Sequence, residues 1–180
     1  MSALDLTSPG ALTRPAETTD ANLVHRLYLK TPSYFDIISI PVPTLAEVKT
    51  DLETAARDPR RFTELVLAPS RRQTAVPPDQ ALIDPRSGRQ VVGYLDYKLD
   101  YPVAGDATVN LLLVEGDVQG RGIGSSCVRD LERRLRGRVK RVLASIYGQN
   151  PRARRFWERL GYAFAVDAKP ILDWYAKKLA

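Results

Sequence analysis

The chain has a single cysteine, Cys127, and a single histidine, His25, among its 180 residues. One cysteine excludes an internal disulfide and any multi-cysteine zinc site. One histidine leaves no basis for a histidine metal cluster or a histidine triad, so no metal is expected. No apolar run approaches the roughly 20 residues that cross a bilayer. The N-terminus lacks the basic-then-apolar pattern of a secretory signal. A cytoplasmic setting away from membranes is therefore expected.

Arginine is what the chain has in excess. The formal charge is +6, and 20 of the 27 basic residues are arginine. That balance favours anionic partners: a nucleic acid, an acidic surface or a small polyphosphate. Guanidinium grips phosphate in a planar, two-pronged way that lysine cannot. The apolar share of 44% is ordinary for a globular protein. The length suits one domain, expected over residues 11–180 behind a flexible tail of residues 1–10.

The patterning predicts a mixed α/β architecture. Ala11 to Arg14 reads as an edge strand stopped by Pro15. Asp20 reads as an N-cap for a helix with the stripe Leu23, Val24, Leu27 and Tyr28. One helical turn is expected at Ser33 to Ile38. Thr44 with Glu47 forms a capping box for a helix burying Val48 and Leu52. Phe62 to Leu67 reads as a strand, Pro69 to Gly88 as a long loop with a short strand at Ala81 to Ile83. Gln90–Leu99 and Ala107–Val114 read as an antiparallel hairpin. Ile123, Cys127, Leu131 and Leu135 recur every four residues and mark a helix. Arg141 to Ile146 is strand-like. Asn150-Pro151 opens a last helix, with Phe156 and Leu160 inward, and Gly161 closes it. Two strands, Ala163 to Val166 and Ile171 to Leu179, follow. One strand–helix–strand crossover implies a mixed central sheet flanked by helices.

Two stretches carry chemistry. Gln119-Gly120-Arg121-Gly122-Ile123-Gly124 lies between a buried strand and a helix. Such a turn lets backbone N–H groups converge on an anion, and the helix adds its positive end. Arg121 and the hydroxyls of Ser125 and Ser126 can add hydrogen bonds. The dinucleotide spacing fails, because Ser125 or Cys127 stands where a third glycine belongs, and no P-loop lysine follows. The second stretch runs from Asn150 through Ala153, Phe156 and Trp157 to Leu160-Gly161-Tyr162.

The Gln-x-x-Gly-x-Gly turn and the Asn-led helix together resemble the two signatures of the GNAT superfamily of acyl-CoA N-acyltransferases. The resemblance implies a GNAT-like fold and acetyl-CoA as cosubstrate. It assigns the coenzyme to Leu112, Leu113 and Val114, to Gln119 through Ser125, and to Asn150, Arg154, Phe156 and Trp157. It implies direct attack of a primary amine on the thioester, with Leu112 to Val114 supplying N–H groups to the oxyanion.

The chain departs from the family at three acid/base positions, which hold Trp157, Asn110 and Ser145. Asp96, on the neighbouring strand, is the candidate base, failing which water relays the proton. Tyr147 is the candidate acid. Tyr34 and Phe35 are expected to line the acceptor pocket. Arg152 and Arg155, with Arg154, could reach the nucleotide end. Two other functions stay open: a coenzyme-binding module without turnover, and a nucleic-acid binder using the basic run Arg133 to Arg141. That run also reads as a solvated face at a helix C-terminus. The acceptor is expected to be a small molecule or peptide, and homodimers are common among such proteins.

Overall fold

The computed structural model describes residues 12–68, 81–169 and 172–179. The tail and most of the Pro69–Gly88 loop lie outside the described residues. Seven strands form one sheet in the order β1-β2-β3-β4-β5-β7-β6. They are β1 (Thr13–Pro15), β2 (Arg61–Leu67), β3 (Val91–Leu99), β4 (Asp106–Val114), β5 (Arg141–Tyr147), β6 (Ala163–Lys169) and β7 (Leu172–Lys178). Among the described residues five α-helices cover it: α1 (Ala21–Leu29), α2 (Pro32–Ile38), α3 (Leu45–Arg57), α4 (Ile123–Leu135) and α5 (Pro151–Arg159).

β4 and β5 are the parallel pair, and α4 is their crossover. All other neighbours pair antiparallel. The sheet therefore buries both faces. One core packs α4 and α5 through Ile123, Cys127, Leu131, Leu135 and Trp157. The other packs α1, α2 and α3 through Val24, Leu27, Phe35, Val48 and Leu52. Leu131 and Leu135 are fully buried, so truncating either to alanine costs about 2–5 kcal/mol.

Local signals explain the boundaries. Thr44 Oγ1 accepts from Glu47 N–H, and Glu47 answers onto the Thr44 N–H at 2.7 Å. β1 ends at Pro15, which takes part as its last residue because an edge strand tolerates a missing N–H. Asp20 precedes α1 as expected but does not cap it. Its carboxylate instead binds Arg14 at 2.8 Å and the Glu17 N–H at 2.9 Å. The turn expected at Ser33 is the seven-residue helix α2, opened by Pro32 at its first position. In α5 the fully inward side chain is Trp157, with Phe156 and Leu160 half-buried beside it.

Gly93 shows why register matters here. A Cβ at this position would lie 2.4 Å from the Leu113 carbonyl oxygen. It sits where the β2–β3 register shifts, the usual setting for a strand glycine.

Candidate functional site

The parallel ladder of β4 and β5 runs from Asp106↔Arg141 to Val109↔Ala144 and stops. Both strands continue, to Val114 and to Tyr147. The parting begins at a bulge: β3 pairs pass from Asp96↔Leu111 to Tyr97↔Val109, so Asn110 is the extra residue. Beyond it the strands splay around a cleft of about 420 Å³.

The ladder phase fixes what β4 presents. Glu115 N–H donates to the Val92 carbonyl at 2.8 Å. Antiparallel alternation then turns the N–H groups of Leu112 and Val114 away from β3, toward the gap. Gln119 Nε2 donates to the Val114 carbonyl at 2.7 Å, as an unladdered side allows.

At one end of the cleft lies the glycine turn. Gly120 and Gly122 have φ of 74° and 82°. A side chain at either would meet nothing within 4 Å, so glycine serves the left-handed backbone rather than a tight fit. The first helical bond of α4 runs from Ser126 N–H to the Gly122 carbonyl. The N–H groups of Ile123, Gly124 and Ser125 therefore lack helical partners, and no side chain caps them. They converge with the helix dipole on one spot suited to an anion. Gly124 has a different reason: its added Cβ would meet the Phe156 ring at 3.3 Å, so glycine lets α5 approach α4.

α5 forms the second wall. Asn150 Oδ1 accepts from Ala153 N–H at 2.9 Å, as an N-cap. Trp157 packs edge-on to Phe156 and Tyr162, with centroids 5.1 and 4.8 Å apart.

At the other end α2 and the end of β5 carry Tyr34 and Tyr147 into the lining. Burial pushes the Tyr34 phenol up to about 12, with Tyr147 and Asp96 adding to the effect. Burial likewise raises Tyr147, helped by Tyr101 and Asp96. Both phenols are protonated at neutral pH. Gly148, at φ 61°, lets the end of β5 approach α2 closely: a Cβ there would lie 2.6 Å from the Ile37 carbonyl.

Leu112, Leu113, Val114, Gln119, Gly120, Gly122, Ile123, Gly124, Ser125, Asn150, Phe156 and Trp157 are thus brought to one cleft with Tyr34 and Tyr147. Others are not. Arg121, Ser126, Arg154 and Arg155 are absent from the lining, where the expected Arg152 stands with Arg159. Phe35 is 3% exposed and packs edge-on to Tyr28 and Tyr34, because a short helix sends neighbouring side chains to different faces. Asp96 is buried behind the wall. Arg61 binds it at 2.5 Å and bridges to Asp51, while Asn110 Nδ2 donates to it at 3.0 Å.

Sequence reasoning missed Thr31, Ser33 and Ile37, which also line the cleft. The three-residue step from Tyr34 to Ile37 and the seven-residue step from Arg152 to Arg159 are the helical spacings that could have found two of these walls.

The basic run is not a continuous free face. Arg134 turns inward to clasp Glu64 through two hydrogen bonds of 2.9 Å, and Arg141 clasps Asp106. Among the described residues no cluster of three His, Cys, Asp or Glu is placed to hold a metal ion. No helix among them is long and apolar enough to cross a membrane.

A parted parallel strand pair with an anion-binding turn at one end defines an acetyltransferase architecture. The family model for the Acetyltransferase (GNAT) family matches residues 45–162, and the chain belongs to that family. An acetyltransferase from Thermus thermophilus is 38% identical with a TM-score of 0.79, over 93% of this chain and 96% of that one. The fold is shared by the PaiA N-acetyltransferase of Thermoplasma acidophilum, solved with coenzyme A. It is 11% identical at TM-score 0.64, covering 92% and 97% of the two chains. An acetyltransferase of Salmonella typhimurium that modifies the N-terminal serine of ribosomal protein L7/L12 is 14% identical. Its TM-score is 0.71, over 93% and 94%. No curated protein matches the chain.

Proposed function

We propose that the protein transfers the acetyl group of acetyl-CoA to a primary amine by direct attack within a ternary complex. The observation that carries this reading is the parting of β4 and β5 after Val109 and Ala144, with the glycine turn at one end of the gap. The described residues suit coenzyme A. The N–H groups without helical partners at the start of α4 can receive the pyrophosphate. Asn150 keeps its Nδ2 for a pantetheine carbonyl, since its Oδ1 is committed to Ala153. Arg152 and Arg159 add positive charge along the same wall.

A free alkylamine titrates near 10, so it must shed a proton to attack. No histidine or carboxylate lines the cleft among the described residues, and in this reading water carries that proton away. The N–H groups of Leu112 and Val114 then face the developing oxyanion. Tyr147 lines the cleft and, as a phenol of ordinary value near 10, is protonated at neutral pH; in this reading it supplies the proton to the thiolate. Tyr147→Phe is expected to slow thiol release by about 10²-fold or more, with acetyl-CoA affinity unchanged.

The lack of a lining carboxylate also favours a second reading, a coenzyme-binding module without turnover. Calorimetric titration of acetyl-CoA into wild type and Ser125→Glu tests the first step. Ser125 lies in the first turn of α4, where glutamate suits the helix dipole. The variant is expected to keep the wild-type melting transition, which calorimetry checks, yet sets a carboxylate at the anion site. Binding by wild type that is lost in Ser125→Glu supports the coenzyme site; no binding by wild type refutes it. Thiol release with an amine panel then separates enzyme from module.

A further inference from the structure

Two asparagines line the cleft, and hydrogen bonding fixes each amide in the opposite sense. Asn150 Oδ1 is held by Ala153 N–H at 2.9 Å, so its NH₂ remains as a donor. Asn110 is reversed. Its Nδ2 donates to Asp96 Oδ1 at 3.0 Å, and a carboxylate can receive only the NH₂ side of an amide. The orientation of Asn110 is therefore dictated by chemistry. Its Oδ1 accepts from no described residue, is not among the buried polar atoms without a partner, and belongs to a residue of the cleft wall.

Asp96 cannot turn away from this duty. It is 4% exposed and clamped by Arg61, whose other face binds Asp51 at 2.8 Å. Its negative charge is held by Arg61, which it shares with Asp51, and is felt as far as the Tyr34 and Tyr147 phenols. With its Nδ2 committed to Asp96, Asn110 keeps its Oδ1 for the cleft that the residue lines, and Asp96 itself is not in the lining. The bulge that parts β4 from β5 is centred on this same residue, and a bulge re-aims the side chain it carries.

An amine entering this cleft brings hydrogen-bond donors that need acceptors. Among the described lining residues there is no aspartate or glutamate. The side-chain acceptors are the hydroxyls of Thr31, Ser33, Tyr34, Ser125, Ser145 and Tyr147 and the amide oxygens of Gln119 and Asn110, beside backbone carbonyls; Gln119 belongs to the glycine turn, and Asn110 to the bulge where the strands part. Hydroxyls rotate and can donate as readily as accept; a locked amide oxygen can only accept.

Resting on the acetyltransferase reading above, we propose that Asn110 is the residue that holds the acceptor amine, and that Asp96 is a positioning residue that locks its amide. Asn110 Oδ1 accepts one N–H of the amine and so directs the nitrogen lone pair. A neutral amide takes no proton, so the residue orients and selects without acting as a base. The Asp51–Arg61–Asp96 chain transmits rigidity from α3 to that one oxygen.

The test uses thiol release from acetyl-CoA with four acceptors: butylamine, a tetra-alanine peptide, spermidine and kanamycin. Wild type, Asn110→Leu, Asp96→Asn and the double variant are compared. Acetyl-CoA affinity is measured by calorimetry on each as the check of folding. Asn110→Leu is expected to raise the amine KM by about tenfold to a hundredfold, the worth of one hydrogen bond to an amine. Acetyl-CoA Kd stays within about twofold, since coenzyme contacts lie elsewhere in the cleft. Asp96→Asn raises the amine KM by a smaller factor, and the double variant is no worse than Asn110→Leu alone. That non-additivity marks two residues acting through one contact; a merely structural role for Asp96 would add its own loss. An amine KM unchanged in Asn110→Leu, or additive losses in the double variant, overturns the inference and leaves the transferase reading standing. Wild type that turns over none of the four amines while binding acetyl-CoA sinks both.

Discussion

Replacing Gly93 with alanine adds one methyl group to β3, and the structure says where it goes. The new Cβ would stand 2.4 Å from the Leu113 carbonyl oxygen and 3.2 Å from Val66 Cβ. Carbon–oxygen contacts between strands ordinarily sit at about 3.3 Å or more, so the β3–β4 spacing must open by about 0.9 Å. Neither neighbour is a flexible side-chain end; one is backbone and the other a β-branched stem. Overpacking of this kind costs about 1–3 kcal/mol, and a stretched ladder bond adds about 0.5–1.5 kcal/mol. For a chain of this size each kcal/mol moves the melting temperature by about 2–4 °C, so a fall of about 3–18 °C is expected by calorimetry. Gly116→Ala is the control. It meets nothing within 4 Å and has no left-handed φ, so it melts within about 1 °C of wild type. Because β4 also forms the cleft wall, Gly93→Ala should weaken acetyl-CoA binding as well. A Gly93→Ala protein that melts with wild type would refute the steric reasoning.

Glu64→Ala takes from Arg134, whose side chain is 7% exposed, its two-pronged partner and leaves Asp130 as its acidic partner, and is expected to cost about 1.5–3 kcal/mol in chemical denaturation. Glu64→Leu paired with Arg134→Met should recover most of that loss. Burial pushes the Asp84 carboxyl up, but Arg14, Ser87 and the Arg86 N–H outweigh it and hold it at about 2. A carboxyl lowered on folding stabilises fully above its unfolded value of about 3.9 and loses that contribution as pH falls through the folded one. Melting temperature should drop more steeply between about pH 4 and pH 2 in wild type than in Asp84→Asn. Burial raises the Cys127 thiol to about 12, with Glu64 and Asp130 adding to it. In native protein at pH 8 it should resist a thiol reagent such as dithionitrobenzoate and react only on unfolding; rapid native labelling would contradict the packing of α4.

Much of this fold lies in short-range pattern. The four-residue recurrence from Ile123 to Leu135 gives α4, Thr44 with Glu47 gives the start of α3, and Asn150-Pro151 gives that of α5. The glycine turn and the Asn-led helix declared the family because both signatures are local backbone devices. What escaped depends on contacts across the sheet. Asp96 alternates like a strand carboxylate, and nothing nearby announces Arg61, 35 residues earlier, as its clamp. The Asn110 bulge is a mismatch between two strands and leaves no mark on either alone. Phe35 and Tyr34 are adjacent aromatics in a proline-bounded stretch too short to show a helical phase, so which one meets the cleft was not legible. Arg134 belonged to an apparent solvated run until Glu64, on a distant strand, supplied its partner.

The contact between Gly148 and Ile37 sets an aperture. One glycine lets the chain just past β5, whose last residue is Tyr147, lie against Ile37 near the end of α2, the helix that also carries Tyr34. Every larger residue at 148 must push α2 outward, since the obstacle is a backbone carbonyl that cannot rotate aside. Asparagine tolerates the left-handed backbone better than other substitutes, so Gly148→Asn should widen this mouth with the least strain. The cleft's bore at its tyrosine end is thus adjustable at one position that lies outside both family signatures.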